Sequence, residues 1–133
     1  MTFLVHAIGH IEINTVDVAA VVKDATEILG LHVTHRGLDQ TWLSSNGRAA
    51  ELVLHHASEN STHLIGLEAL TTEAVREAAK RVDSAGCRIE TTKPSLACIA
   101  EAVTFTTPEG LRFEIHTPIK DQIYGRRDRK SVV

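Results

Sequence analysis

Eight histidines stand in a chain of 133 residues. With the acidic side chains, they are the groups best suited to hold a divalent ion or to move a proton near neutral pH. They are not gathered into a tag, which leaves some available to line a site, although most of them are expected at the surface. Alternation sorts them, because neighbouring side chains in a strand point to opposite faces. In the stretch from Leu4 to Asn14, Ile11 and Ile13 take one face and His10, Glu12 and Asn14 the other. From Leu111 to His116, the apolar face is Leu111, Phe113 and Ile115, which sends Arg112, Glu114 and His116 to the opposite side. From Ala50 to His55, Leu52 and Leu54 are apolar partners, and Glu51, Val53 and His55 share the other face. His55 and His56 are adjacent, so at most one shares that face, and both are expected at the surface. His6, His32 and His35 have no partners in the pattern.

The elements that must position these residues follow from periodicity. Asp17 is a helix N-cap, and Val18, Val21, Val22, Ala25, Ile28 and Leu29 follow at helical spacing until Gly30 stops the helix. Short strand-like runs come next, at 31–35, 41–44 and 50–55, the last two separated by the turn Ser-Asn-Gly. The same plan then returns. A strand at 63–70 precedes a helix opened by Thr71 or Thr72, with Val75, Ala78, Ala79 and Val82 on its buried stripe and Gly86 at its end. Strands at 87–91, 102–107 and 111–116 follow, with Pro-Glu-Gly as the last turn. The two copies align at Ile11 with Ile65 and at Gly30 with Gly86. Gly47 precedes Glu51 by the same interval as Gly110 precedes Glu114. An internal repeat of about 55 residues accounts for that ordered set.

Composition removes several classes of function. Formal net charge is −3 with no basic face, which argues against nucleic acid as the main partner. No apolar run reaches about 18 residues, so no membrane span is expected, and the start of the chain lacks the pattern of a signal peptide. Cys87 and Cys98 are not spaced as a metal-binding pair and are read as reduced thiols of a cytoplasmic protein. Trp42, the one tryptophan, is expected to be half-buried packing.

Strand, helix and three strands, taken twice, is the plan of the vicinal oxygen chelate superfamily of glyoxalases, bleomycin-resistance proteins and extradiol dioxygenases. Three segments resemble that family in wording as well as order. The first is Ile8-Gly-His-Ile-Glu-Ile-Asn, with its helix ending Glu-Ile-Leu-Gly-Leu. The second is Ser45-Asn-Gly-Arg-Ala-Ala-Glu-Leu-Val-Leu-His, running into His63-Leu-Ile-Gly-Leu-Glu. The third is Phe105-Thr-Thr-Pro-Glu-Gly-Leu-Arg-Phe-Glu-Ile-His-Thr-Pro. The resemblance covers about residues 6–118, and its second segment is most similar to the amino-terminal domain of two-domain extradiol ring-cleavage dioxygenases. It implies an α+β fold in which two βαβββ modules, about 4–57 and 62–118, form a cupped, mixed eight-stranded sheet with two outer helices. Residues 119–133 are then a tail or a linker stub.

The resemblance also implies a divalent metal, Fe(II) or Mn(II), held in the cup by residues from the first strand of each module and the last strand of one or both. On the strand faces above, His10, Glu51 and Glu114 meet that description. The fourth position departs from it. The counterpart of His10 in the second module is Leu64, while His63 has the parity of Ile65 and would reach a metal only through a bulge. The expected ligand set is therefore His10, Glu114, Glu51 and His63, one imidazole short unless the strand is irregular. The resulting expectation is a dioxygenase-like domain that is weakly catalytic or not catalytic by itself. It would bind a small aromatic or other small-molecule ligand and work as a homodimer or beside a catalytic partner domain. Two other functions fit the same residues: a metal-free small-molecule binding or resistance protein, and a metal-dependent isomerase or lyase using His10, Glu51 and Glu114.

Overall fold

A computed structural model of the chain describes residues 3–120. From residue 121 on, the expected tail lies outside the described residues. The elements run β1 (Ala7–Thr15), α1 (Val18–Glu27), β2 (His32–Arg36), β3 (Thr41–Ser44), β4 (Leu52–His56), β5 (Ser61–Glu68), α2 (Thr72–Ser84), β6 (Arg88–Thr91), β7 (Ala102–Thr106) and β8 (Arg112–His116). The strands form one mixed sheet in the order β2-β3-β4-β1-β5-β8-β7-β6. β2, β3 and β4 pair antiparallel, as do β6, β7 and β8, whereas β5 and β8 are parallel. This is the expected α+β fold of eight strands and two helices. Among the described residues no helix is long and apolar enough to cross a membrane.

Two compact units divide the chain. Among the described residues, one comprises 3–11 together with His63–Pro118, and the other Glu12–Thr62 together with 119–120. In the second of these, Val22 and Ala25 of α1 pack with Leu43 and Leu54, flanked by Ile13, Val18, Val21, Leu31, Val33 and Leu52. The side chain of Asp17 caps α1 by accepting from the Ala20 N–H at 3.0 Å. The helix ends sooner than its apolar stripe. Ile28 is its C-cap, and Ile28 and Leu29 are 75% and 69% exposed. The cause is Gly30, which adopts a positive φ of 74°. That reversal turns the chain so that Leu31, its N–H bonded to the Ala25 carbonyl, takes the core position instead.

In the other unit Val75 and Ala78 of α2 pack with Ala69, Val103, Phe105 and Ile115, and Ala79, Val82, Leu67, Ile89 and Phe113 close around them. The rings of Phe105 and Phe113, partners across β7 and β8, stack with centroids 5.9 Å apart. The cap of α2 is Thr71, whose hydroxyl accepts from the Ala74 N–H. Gly86, at φ 83°, ends the helix as Gly30 does in the first repeat.

The faces read from alternation are the observed ones with two exceptions, Ile11 and Leu111, the latter 56% exposed just before β8. Leu52, Leu54, Ile13, Phe113 and Ile115 all join a core. Ile11 does not; it is 39% exposed. Gly9 and His10 are buried in succession, so strict alternation fails in β1 just before Ile11. Trp42 is half-buried as expected, its ring against His35 and its N–H donated to Gln40. Cys87 and Cys98 are both free thiols.

Leu54 is 1% exposed and central to its cluster. Urea denaturation should show Leu54→Ala less stable by about 2–5 kcal/mol. A loss under about 1 kcal/mol, within the range of ordinary surface substitutions, would mean that this cluster is not a packed core.

Candidate metal centre

β1 and β8 bring three buried polar side chains together in the unit that contains β5–β8. His10 is 1% exposed, and Glu114 and His116 are both 0% exposed. One ligand atom from each lies within 4.8 Å of the others. Nδ1 of His10 is 3.2 Å from Nε2 of His116. Nε2 of His10 is 3.7 Å from Oε1 of Glu114. The two imidazole centroids are 5.0 Å apart and tilted by 55°.

A backbone carbonyl fixes the tautomer of His116. The Thr117 carbonyl, 2.7 Å from Nδ1 of His116, can only accept, so that nitrogen carries a proton. Nε2 of His116 in its neutral form then carries a lone pair on the side of His10, 3.2 Å from Nδ1, and can serve either as acceptor for an imidazole N–H or as ligand to an ion, not both at once. What remains of His10 is Nε2, directed at the Glu114 carboxylate. A cation held between that nitrogen and the carboxylate would be favourable at this edge. Glu114 is itself oriented by Ser95, which donates its N–H to Oε2 at 2.7 Å and its hydroxyl to Oε1 at 2.8 Å.

Two glycines make the room. A Cβ on Gly66, in β5, would lie 2.2 Å from His10 Nδ1 and 2.9 Å from His116 Nε2. A Cβ on Gly9 would lie 2.3 Å from the His116 ring. Any side chain at either position would collide with an imidazole. Two imidazoles and one carboxylate seated against side-chain-free backbone are also the donor set of a facial triad for Fe(II) or Mn(II). The residues therefore fit a divalent ion, and His10, His116 and Glu114 are the ones that would hold it.

The expected ligands find different partners. His10 and Glu114 come together as their strand faces require. Glu51 is committed elsewhere. Its carboxylate accepts from the Ser45 N–H and hydroxyl and from the Asn46 amide, which makes it the anchor of the turn before β4. His63 does not join His10 and Glu114 either. It is half-buried in β5, where Arg112 donates to its Nε2 at 3.3 Å. Leu64 is buried as its parity demands, and the second imidazole comes from His116. Alternation had already put His116 on the face of Glu114. What it could not show was that the His116 ring crosses to Gly9 and His10.

Further imidazole–carboxylate pairs lie inside each unit. His55, expected at the surface, binds the fully buried Glu12 at 2.7 Å, whereas His56 is exposed. His6, which no pattern singled out, binds Glu68 at 2.8 Å. Two other carboxyls are held below their ordinary value. Burial pushes Glu51 up, but the bonds from Ser45 and Asn46 and the charge of Arg48 outweigh it. Glu90 is lowered by the Thr106 hydroxyl and, against some burial, by Arg112.

The chain belongs to the glyoxalase/bleomycin resistance protein/dioxygenase superfamily, whose family model matches residues 7–115. No curated protein matches the sequence. Among solved structures it is similar to the halotolerant catechol dioxygenase BphC, at 23% identity and a TM-score of 0.82, over 90% of this chain and 41% of that one. It is similar to the Mn(II)-bound glyoxalase from Novosphingobium aromaticivorans, at 22% identity and a TM-score of 0.80, over 88% and 40%. A variant of homoprotocatechuate 2,3-dioxygenase from Brevibacterium fuscum gives 22% and 0.81, over 93% and 36%. The chain thus spans well under half the length of these neighbours.

Two outcomes test this geometry. Gly66→Ala should cost about 1–3 kcal/mol through overpacking and should shift the imidazole NMR signals of His10 and His116. Gly86→Ala, where an added Cβ meets nothing within 4 Å, should leave those signals in place. Unmoved signals in Gly66→Ala would refute the cradle. For Glu51 the sign follows from a folded-state carboxyl held below the ordinary 4.5. Its stabilisation is complete above that value and is lost as pH falls through the lower folded one. The gap in Tm between wild type and Glu51→Gln should accordingly narrow as pH drops below about 4.5. A gap constant down to pH 2 would show that the carboxylate is not anchored there.

Proposed function

We propose that this chain is a divalent-metal-binding domain of the extradiol dioxygenase type, with His10, His116 and Glu114 holding Fe(II) or Mn(II). The observation that carries this reading is a set of two imidazoles and one carboxylate, buried together against two glycines that leave their rings room. A bound ion would supply Lewis-acid polarisation to a substrate that offers two adjacent oxygens, with a catechol as the first candidate. The chain's own residues do the rest. His116 is held in one tautomer by the Thr117 carbonyl, Glu114 is held by Ser95, and the burial of all three excludes bulk water from the reacting groups. The solved neighbours are longer chains, so the reading includes a second half, either another copy of this chain or a catalytic partner domain, in the cytoplasm.

A second reading is favoured by a different observation. Among the described residues no buried polar side-chain atom lacks a hydrogen-bond partner. The trio can therefore stand as a sealed hydrogen-bonded network in a domain that supports catalysis elsewhere. Metal uptake separates the two. The purified full chain should bind one equivalent of Mn(II) or Fe(II), and His116→Ala or Glu114→Gln should weaken binding at least tenfold. Oxygen consumption with catechol then tests the reaction. Absence of any uptake of either ion at millimolar concentration would leave only the sealed network.

A further inference from the structure

The segment joining β6 to β7, residues 92–101, contains no helix or strand, yet it touches the site at both ends. Near its start, Ser95 donates to both oxygens of Glu114. At its end, Glu101 exchanges bonds with Thr117. Its carbonyl accepts from the Thr117 N–H at 2.9 Å, and its N–H donates to the Thr117 hydroxyl at 3.1 Å. Thr117 is the residue whose carbonyl holds Nδ1 of His116. Between these points the segment is anchored by Leu96 and Ile99, 2% and 5% exposed, and closed by a turn from the Ile99 N–H to the Leu96 carbonyl.

We propose that Ser95 is a positioning residue for the metal site, and that this segment orients two of its three side chains. The inference rests on the reading of His10, His116 and Glu114 as metal holders. A carboxylate with no exposure to water has no alternative donors, so its rotation is decided by the protein groups around it. Ser95 takes one lone pair from each oxygen and so fixes the plane of the carboxylate. Oε1 is thereby the oxygen turned toward His10, and it faces the imidazoles as a single donor atom. Pro94 has its own φ fixed immediately before Ser95. Outer partners of this kind typically change metal affinity by about 10–100-fold when removed.

Co(II) is the probe, because its visible absorption reports the number and arrangement of its ligands. The full chain is titrated with Co(II) as wild type, Ser95→Ala, Ser95→Thr and Ser95→Val. Urea denaturation without metal records any structural loss separately. Ser95→Ala should bind Co(II) about 10–100-fold more weakly, with an altered visible band. Ser95→Thr, which keeps a hydroxyl, should stay close to wild type, and the nearly isosteric Ser95→Val should follow the alanine variant. The Thr and Val pair carries the test if Ser95→Ala does not fold. A wild type that takes up no Co(II) overturns the metal reading itself. A wild type that binds, with Ser95→Ala and Ser95→Val equal to it in affinity and spectrum, leaves the metal reading standing and overturns the role of Ser95.

Discussion

Burying a carboxylate is the demand around which this site is arranged. Removing Glu114 from water costs several kcal/mol even after relaxation, unless donors and positive charge replace the lost hydration. Each neighbour answers part of that demand. Ser95 supplies two donors, and His10 brings its Nε2 to 3.7 Å from Oε1. For His10 to lie there, β5 must present a glycine at 66, and for His116 to back it, β1 must present one at 9. The register Gly66↔Glu114 across the parallel β5–β8 pair places these groups side by side. A register change of one residue would put Glu114 in the apolar core and Ile115 at the metal corner.

The same demand explains an unusual composition. Three buried or nearly buried carboxylates, Glu114, Glu12 and Glu68, each have an imidazole partner, in His10, His55 and His6. Histidine suits this task better than lysine or arginine on a crowded sheet face. It is short and flat, and it can answer a carboxylate with a proton while its other nitrogen takes a different role. The histidine content therefore reflects how this sheet accommodates buried acids, and the candidate metal centre is the instance with two imidazoles.

Legibility in the sequence followed the range of the interaction. Helices, caps, stop glycines and strand faces are local, and they were readable from periodicity. Even the early end of α1 was signalled by Gly30, although the apolar Ile28 and Leu29 obscured it. The site was half readable. Alternation places His10, Glu114 and His116 on polar faces, but a face is not a neighbourhood. The family's symmetry directed attention to residue 64, whereas the second imidazole lies two places beyond Glu114 on the same strand. Glu51 accepts from the donors of the Ser45–Asn46 turn, five or six residues back, which are invisible to a parity argument. The importance of Gly66 was equally hidden. A glycine in a strand reads as a weak spot until the side chain lying across it is known.

The position of β8 has a kinetic consequence. It enters the sheet between β5 and β7, pairing Ile65 with Phe113 and Ala102 with His116. Both of those strands emerge from the ribosome before it does. Until residues 112–116 are available, β5 and β7 have no common partner, and Glu114 and His116 are not yet in place to meet His10. Closing so long a stretch of chain makes this a late and comparatively slow event. A nascent chain therefore exposes unpaired strand edges for most of its synthesis, and the buried trio is complete only after the last strand inserts. Any chaperone dependence of this domain would be felt at that step, with the helices already formed and waiting.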